Sequence, residues 1–125
     1  MYFEDLTSLP DGDGRVAVGW LEAGHAFTTG GCDPRVRDRL VHLAFEPEER
    51  MRGYHYCEFC TEESPISVTG AEDPGKFVNL GDAEIWVRDR EQVFAAPTLI
   101  IHYIDAHGYR PPAVFCEAVL AQYPS

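Results

Sequence analysis

Apolar positions along this chain alternate between the spacing of a strand and the spacing of a helix. Residues 15–22, Arg-Val-Ala-Val-Gly-Trp-Leu-Glu, form a compact apolar run that predicts a short buried strand. A Gly-rich loop follows, Gly24-His25-Ala26-Phe27-Thr28-Thr29-Gly30-Gly31-Cys32. Asp33-Pro34 then opens a helix, because Asp is a good N-cap and Pro at the first helical position loses no needed hydrogen bond. Val36, Leu40, Leu43 and Ala44 recur at helical spacing, so this helix packs one face on a core and stops near Pro47.

The middle of the chain changes period. Residues 53–60, Gly-Tyr-His-Tyr-Cys-Glu-Phe-Cys, predict a strand running into a tight turn, and the polar stretch 61–76 predicts a surface loop. Phe77-Val78-Asn79-Leu80 and Ala83-Glu84-Ile85-Trp86-Val87 predict two strands joined by a hairpin at Gly81-Asp82. Asp89-Arg90-Glu91 makes another turn, and Gln92-Val93-Phe94-Ala95 a third short strand. Pro97 then starts a second helix, Thr98 to about His107, with Gly108 as its C-terminal cap. Pro111-Pro112 opens a last helix carrying Val114, Phe115, Ala118, Val119 and Leu120. Residues 1–14 read as an irregular arm ending in the turn Pro10-Asp11-Gly12-Asp13-Gly14. The expectation is one α+β domain over residues 1–125, with a small antiparallel sheet and about three helices packed on it.

Composition narrows the picture only where charge enters. Hydrophobic residues are 45% of the chain, an ordinary globular share that argues against wholesale disorder. Asp and Glu number 21 against 10 Lys and Arg, a formal net charge of -11. A field of that sign repels phosphate backbones and anionic membranes and suits a basic protein partner. It is also what many soluble proteins carry simply to stay dispersed. The chain starts with acids where a signal peptide has basic residues, and its longest apolar runs are too short to span a bilayer. A cytoplasmic location is therefore expected. In a reducing compartment, paired cysteines are more often metal ligands or reactive groups than structural disulfides.

Four cysteines, Cys32, Cys57, Cys60 and Cys116, are present. Cys57-Glu58-Phe59-Cys60 is a C-x2-C knuckle, whose spacing lets two thiolates converge on one ion while nearby backbone amides point at the sulfurs. Tetrahedral zinc needs two more ligands, and five histidines are available: His25, His42, His55, His102 and His107. His102 and His107 form an H-x4-H pair and are the chosen partners of Cys57 and Cys60. Residues five apart on an ideal helix lie about 140° apart around the axis, so both reach one ion only if the last turn loosens. His55 is a competing ligand, since two residues before Cys57 on a strand it shares that face. His25 and Cys32 could swing in from the Gly-rich loop. His42 reads as a surface or helix-flank residue, and Cys116 as a small buried thiol.

Other chemistries fare worse. A thioredoxin-type pair sits at a helix start, but Glu58-Phe59-Cys60 runs into Thr-Glu-Glu-Ser-Pro, and the acids Glu58, Glu62 and Glu63 raise rather than lower a thiol pKa. Two inert cysteines remain the plain alternative. The zinc deaminase, zincin, P-loop, dinucleotide and nucleophile-elbow motifs are absent from the sequence. A zinc-dependent hydrolase with an open metal position would need a carboxylate base; Glu58 and Asp105 are close in sequence but read more simply as solvated charges.

Several motifs together look familiar. Val18-Gly19-Trp20-Leu21 with Gly24-His25, Arg52-Gly53-Tyr54-His55-Tyr56-Cys57-Glu58-Phe59-Cys60, Leu80-Gly81-Asp82-Ala83-Glu84-Ile85, Ala96-Pro97-Thr98-Leu99-Ile100-Ile101-His102-Tyr103 and His107-Gly108-Tyr109-Arg110-Pro111-Pro112 resemble a family of small bacterial proteins. The resemblance covers the chain from Tyr2 to about Leu120 and implies a bacterial, soluble, single-domain protein. It brings no activity with it. The sequence thus favours a non-catalytic, zinc-stabilised binding module that acts on another protein, immunity-like or inhibitor-like toward a basic partner. The alternative is the small zinc hydrolase.

Overall fold

The computed structural model describes residues 2–9, 14–50, 57–60, 66–70, 75–90 and 92–122. Its elements are β1 (Val16–Ala17), α1 (Pro34–Ala44), β2 (Glu49–Arg50), β3 (Ile66–Thr69), β4 (Phe77–Leu80), β5 (Ala83–Asp89), β6 (Gln92–Pro97), α2 (Ile100–His107) and α3 (Ala113–Gln122). The class is α+β. The main sheet has the order β1-β6-β5-β2, and β3 and β4 form a separate two-stranded sheet.

β5 sets the frame because its side chains alternate. Ala83, Ile85 and Val87 are buried, while Glu84 and Trp86 face the other way. β5 pairs antiparallel with β6, with Trp86 opposite Ala95 and Val87 opposite Phe94. The inner face of this pair packs under α1 and α3, where the Phe94 and Phe115 rings meet edge-on at 5.6 Å. On the outer face the Arg15 guanidinium lies 4.1 Å over the Trp86 ring.

Helix α1 begins as its sequence dictates. The Asp33 side chain accepts the Arg35 amide at 2.9 Å, and Pro34 occupies the first turn. The helix buries Val36, Leu40, Val41 and Ala44, so Val41 takes the inner position expected of Leu43, which is only partly buried.

Five expectations need correction. The sheet is not purely antiparallel, because β1 runs parallel to β6, with Val16 opposite Phe94. β1 is also shorter than residues 15–22. Gly19 has φ +78° and breaks the strand, although Val18, Trp20 and Leu21 stay buried. A Cβ at Gly19 would meet the Ile100 side chain at 2.8 Å, so only glycine lets α2 approach this closely. Gly81-Asp82 does not close a hairpin. β4 pairs with β3, β5 pairs with β2 and β6, and the Gly81 amide donates to Thr98 Oγ1 at 2.8 Å as the chain passes from one sheet to the other. The expected loop 61–76 contains β3, whose Ile66 is buried opposite Leu80. Pro97 ends β6 rather than starting the helix.

The N-terminal arm is docked rather than loose. Phe3, Leu6 and Leu9 donate backbone hydrogen bonds to Trp20, Ala17 and Arg15. Asp5 ties this arm to both ends of the chain: one carboxylate oxygen accepts the Gly19 amide at 2.9 Å and the other the Tyr109 hydroxyl at 2.7 Å. Among the described residues no helix is long and apolar enough to cross a membrane. The turn residues 10–13, the residues 53–56 of the expected strand and Glu91 lie outside the described residues.

Candidate metal centre

The sequence builds this centre from two pieces, a bend at residues 57–60 and the helix α2. Helix α2 follows β6 almost at once and is apolar for most of its length. Ile100, Ile101, Tyr103 and Ile104 are buried in the core. His102 is carried into the interior with them and is 4% exposed. A buried imidazole needs a partner for its ring nitrogens, and His102 finds one in the knuckle.

The Cys60 sulfur lies 3.4 Å from His102 Nε2, and the Cys57 sulfur 3.3 Å from His107 Nε2. The two sulfurs are 3.7 Å apart. One ligand atom from each of Cys57, Cys60, His102 and His107 falls within 4.8 Å of all the others. The four cluster in a geometry compatible with holding one metal ion.

The end of α2 explains how residues five apart reach one point. Gly108 adopts the left-handed conformation, φ 67°, and its amide bonds the Tyr103 carbonyl five residues back instead of four. The Tyr109 amide bonds the same carbonyl at 3.1 Å. This widened last turn swings His107 toward the face of His102. Their rings lie 5.1 Å apart and nearly perpendicular, so both Nε2 atoms converge.

An aromatic seat presses the knuckle onto the helix. The Phe59 ring packs edge-on against Phe27 at 5.2 Å and Tyr103 at 5.9 Å, and lies 5.6 Å from the His107 ring. Phe59 is a residue of the site that ligand spacing alone does not point to. Its signal was an aromatic between the two cysteines of a C-x2-C, with a second aromatic, Tyr103, directly after His102. Burial raises the Cys57 thiol above its ordinary value, and the adjacent Cys60 adds to this. The Phe59 and Cys60 amides point at the Cys57 sulfur and act in the opposite sense, as the knuckle geometry requires of a thiolate.

The reserve ligands are elsewhere. His25 stacks flat on Tyr2 with ring centroids 3.9 Å apart. Cys32 lies beside Cys116, not beside the knuckle. His55 lies outside the described residues. His42 sits on the exposed flank of α1, the position read from the sequence. Asp105 is exposed, as read from the sequence, and Arg37 of α1 bonds both its oxygens, at 3.1 and 2.9 Å. Cys116 is not fully buried either; with Cys32 it lines an open cleft.

A sequence-family match covers nearly the same span as the resemblance noted above. The family described as Domain of unknown function (DUF7919) matches residues 1–120, and the chain belongs to it. No curated protein and no solved structure matches the chain.

Proposed function

We propose that this member of the DUF7919 family is a zinc-stapled, non-catalytic binding module, held together by Cys57, Cys60, His102 and His107 and acting on a basic protein partner. The observation that carries the reading is the size of the ligand cage. With Zn–S of about 2.3 Å and Zn–N of about 2.0 Å, a tetrahedron has S···S edges of about 3.8 Å and S···N edges of about 3.5 Å. The sulfur–sulfur separation of 3.7 Å and the sulfur–nitrogen separations of 3.3 and 3.4 Å lie close to those edges. Two thiolates with two imidazoles are a donor set that favours zinc over the hard, oxygen-seeking cations.

Four protein ligands also favour a structural role. A catalytic zinc keeps a position for water, and here protein donors account for the whole tetrahedron. The carboxylate nearest in sequence on α2, Asp105, is engaged by Arg37 and is not a free base. The partner half of the proposal rests on charge and exposure. The net charge is -11, and Phe77 stands 65% exposed at the start of β4, with Glu72 and Asp73 shortly before it in the sequence.

The test is metal analysis combined with X-ray absorption at the zinc edge. Protein purified without added zinc is expected to carry one zinc per chain with two sulfur and two nitrogen neighbours. Metal-free, well-folded protein would end the proposal, and a shell with one oxygen replacing a nitrogen would favour the hydrolase. Binding to a basic protein is expected to weaken steeply with salt and to be lost in Phe77→Ala.

A further inference from the structure

The other two cysteines form a site of their own. Cys32 lies in the loop just before α1, and Cys116 lies on α3. They are 84 positions apart in sequence, yet both side chains line the same cleft and each lies in the other's electrostatic surroundings. Neither is sealed in the core. Both are half-buried and line one open cleft of about 570 Å³, together with Asp33, Arg110 and Glu117. A cleft of that volume is within the range of small-molecule sites.

Backbone hydrogen bonds tie the loop that carries Cys32 to the segment that leads into α3. The Gly30 and Gly31 amides both donate to the Gly108 carbonyl, and the Arg110 amide donates to the Thr28 carbonyl at 2.8 Å. Thr29 and Tyr109 bridge as a short antiparallel pair. This strap places Cys32 opposite α3 and leaves the Arg110 side chain exposed at the cleft.

We propose that Cys32 and Cys116 are a redox dithiol that exchanges with a small disulfide bearing zwitterionic amino-acid ends. The chain's own chemistry assigns the order of steps. The Cys32 thiol donates to the Asp33 carbonyl at 3.6 Å, and the neighbouring Cys32 side chain and the Arg110 cation hold Cys116 below the ordinary thiol value, while Cys32 is held above it. Cys116 is the attacking thiolate. Its sulfur bonds to one sulfur of the small disulfide, the S–S bond of that molecule breaks, and one half leaves as a thiolate. The Cys32 sulfur then attacks Cys116. The bond from Cys116 to the remaining half breaks, that half departs as a thiol carrying the Cys32 proton, and the Cys32–Cys116 disulfide is formed. The two cysteines are oxidised by two electrons, and the small disulfide is reduced to two thiols.

Charge at the cleft selects the substrate class. Arg110 offers a cation for a carboxylate, and Glu117 offers an anion for an ammonium group, whereas Asp33 is already engaged by Arg35. An amino-acid end carries both.

The experiment uses the full-length, metal-loaded chain with glutathione disulfide, and hydroxyethyl disulfide as the uncharged control. Intact mass and differential alkylation with peptide mapping report which cysteines react. Glutathione disulfide is expected to close Cys32 to Cys116 and to leave Cys57 and Cys60 alkylatable only after metal removal. Cys32→Ser is expected to trap a stable glutathione adduct on Cys116, and Cys116→Ser to give no adduct at Cys32 on the same timescale. Cys32 and Cys116 remaining free, or an adduct on Cys32 in Cys116→Ser as fast as on Cys116 in Cys32→Ser, would falsify the assignment. Equal rates for the two disulfides would overturn the recognition of amino-acid ends.

Discussion

The knuckle and the cleft each bring two thiols together, and their surroundings send the same residue type in opposite directions. Around Cys57 and Cys60 the neighbours are two imidazoles and a seat of aromatic rings. Around Cys32 and Cys116 they are an exposed guanidinium, two carboxylates and open solvent. Imidazole nitrogens complete a tetrahedron, and aromatic rings fix its walls. A cation beside a solvent-facing sulfur instead stabilises a free thiolate that is open to attack. What a cysteine pair does in this fold is therefore decided less by the spacing of the pair than by the second type of side chain that arrives with it.

The largest effect is expected on breaking the first pair. Cys57→Ala with Cys60→Ala removes half of the ligand cage and leaves His102 buried without its sulfur partner. Since metal binding is part of the folding free energy, the loss is expected to be on the order of 3 kcal/mol or more. For a chain of this size that corresponds to a fall in Tm of roughly 10 °C. Chelation of the wild type is expected to produce a similar fall, and thermal melts with and without chelator measure both. Cys32→Ser with Cys116→Ser is expected to move Tm far less, because no metal is lost and the cleft is already solvated. Similar falls for the two double variants would erase the contrast between the pairs.

A smaller effect follows from the aromatic seat. Phe59→Ala keeps all four ligands but removes the ring that holds the knuckle against Phe27, Tyr103 and His107. Full truncation of a buried Phe costs about 3–5 kcal/mol. Phe59 is only partly buried, so about half of that is expected. Zinc affinity, measured by competition with a chromophoric chelator, is expected to fall about 10- to 100-fold, as for other groups that orient metal ligands. Unchanged affinity would mean that the knuckle is preformed without its seat.

How much of this was legible in the sequence depends on how local each signal is. The C-x2-C spacing, the Asp33-Pro34 helix start and the alternation of β5 are all short-range patterns, and they read directly. His102 and His107 were readable as candidates, but their convergence depends on a five-residue turn ending at Gly108 that only the helix geometry reveals. The hairpin expected at Gly81-Asp82 failed because strand pairing is a long-range choice, and Leu80 prefers to sit opposite Ile66. The parallel seam of β1 on β6 joins residues 78 apart, Val16 and Phe94, and leaves no local trace. The pairing of Cys32 with Cys116 is hidden for the same reason, since it is made by a backbone strap from Thr28–Gly31 to Gly108–Arg110.

The second pair is sharpened by Arg110. Arg110→Ala removes the cation that helps hold the Cys116 thiol low, so that thiol moves up and less thiolate is present near neutral pH. The rate of adduct formation with glutathione disulfide is expected to fall about 3- to 10-fold, with metal content unchanged. Because fewer thiolates are present, the rate–pH curve is expected to shift to higher pH. Raising the pH by one unit is then expected to restore part of the loss. A metal content that fell with Arg110 would instead couple the two sites.

The smallest effect belongs to Asp33, and it has the opposite sign. Its carboxylate raises both Cys32 and Cys116, and the Arg35 side chain and amide hold the Asp33 carboxyl below the ordinary carboxylate range. Asp33→Asn keeps an oxygen to cap α1 but removes the charge. Cys116 is then expected to become slightly more acidic and to react up to about 2-fold faster with hydroxyethyl disulfide. The sign of the pH dependence follows from the depressed value. Asp33 stays charged throughout the range in which thiols titrate, so the difference between wild type and Asp33→Asn persists there and vanishes only as pH falls through the lowered carboxyl value. Opposite responses to Arg110→Ala and Asp33→Asn, read on one sulfur with one reagent, separate control by local charge from control by burial. At the knuckle, where burial and the proposed metal would dominate, neither substitution is expected to register.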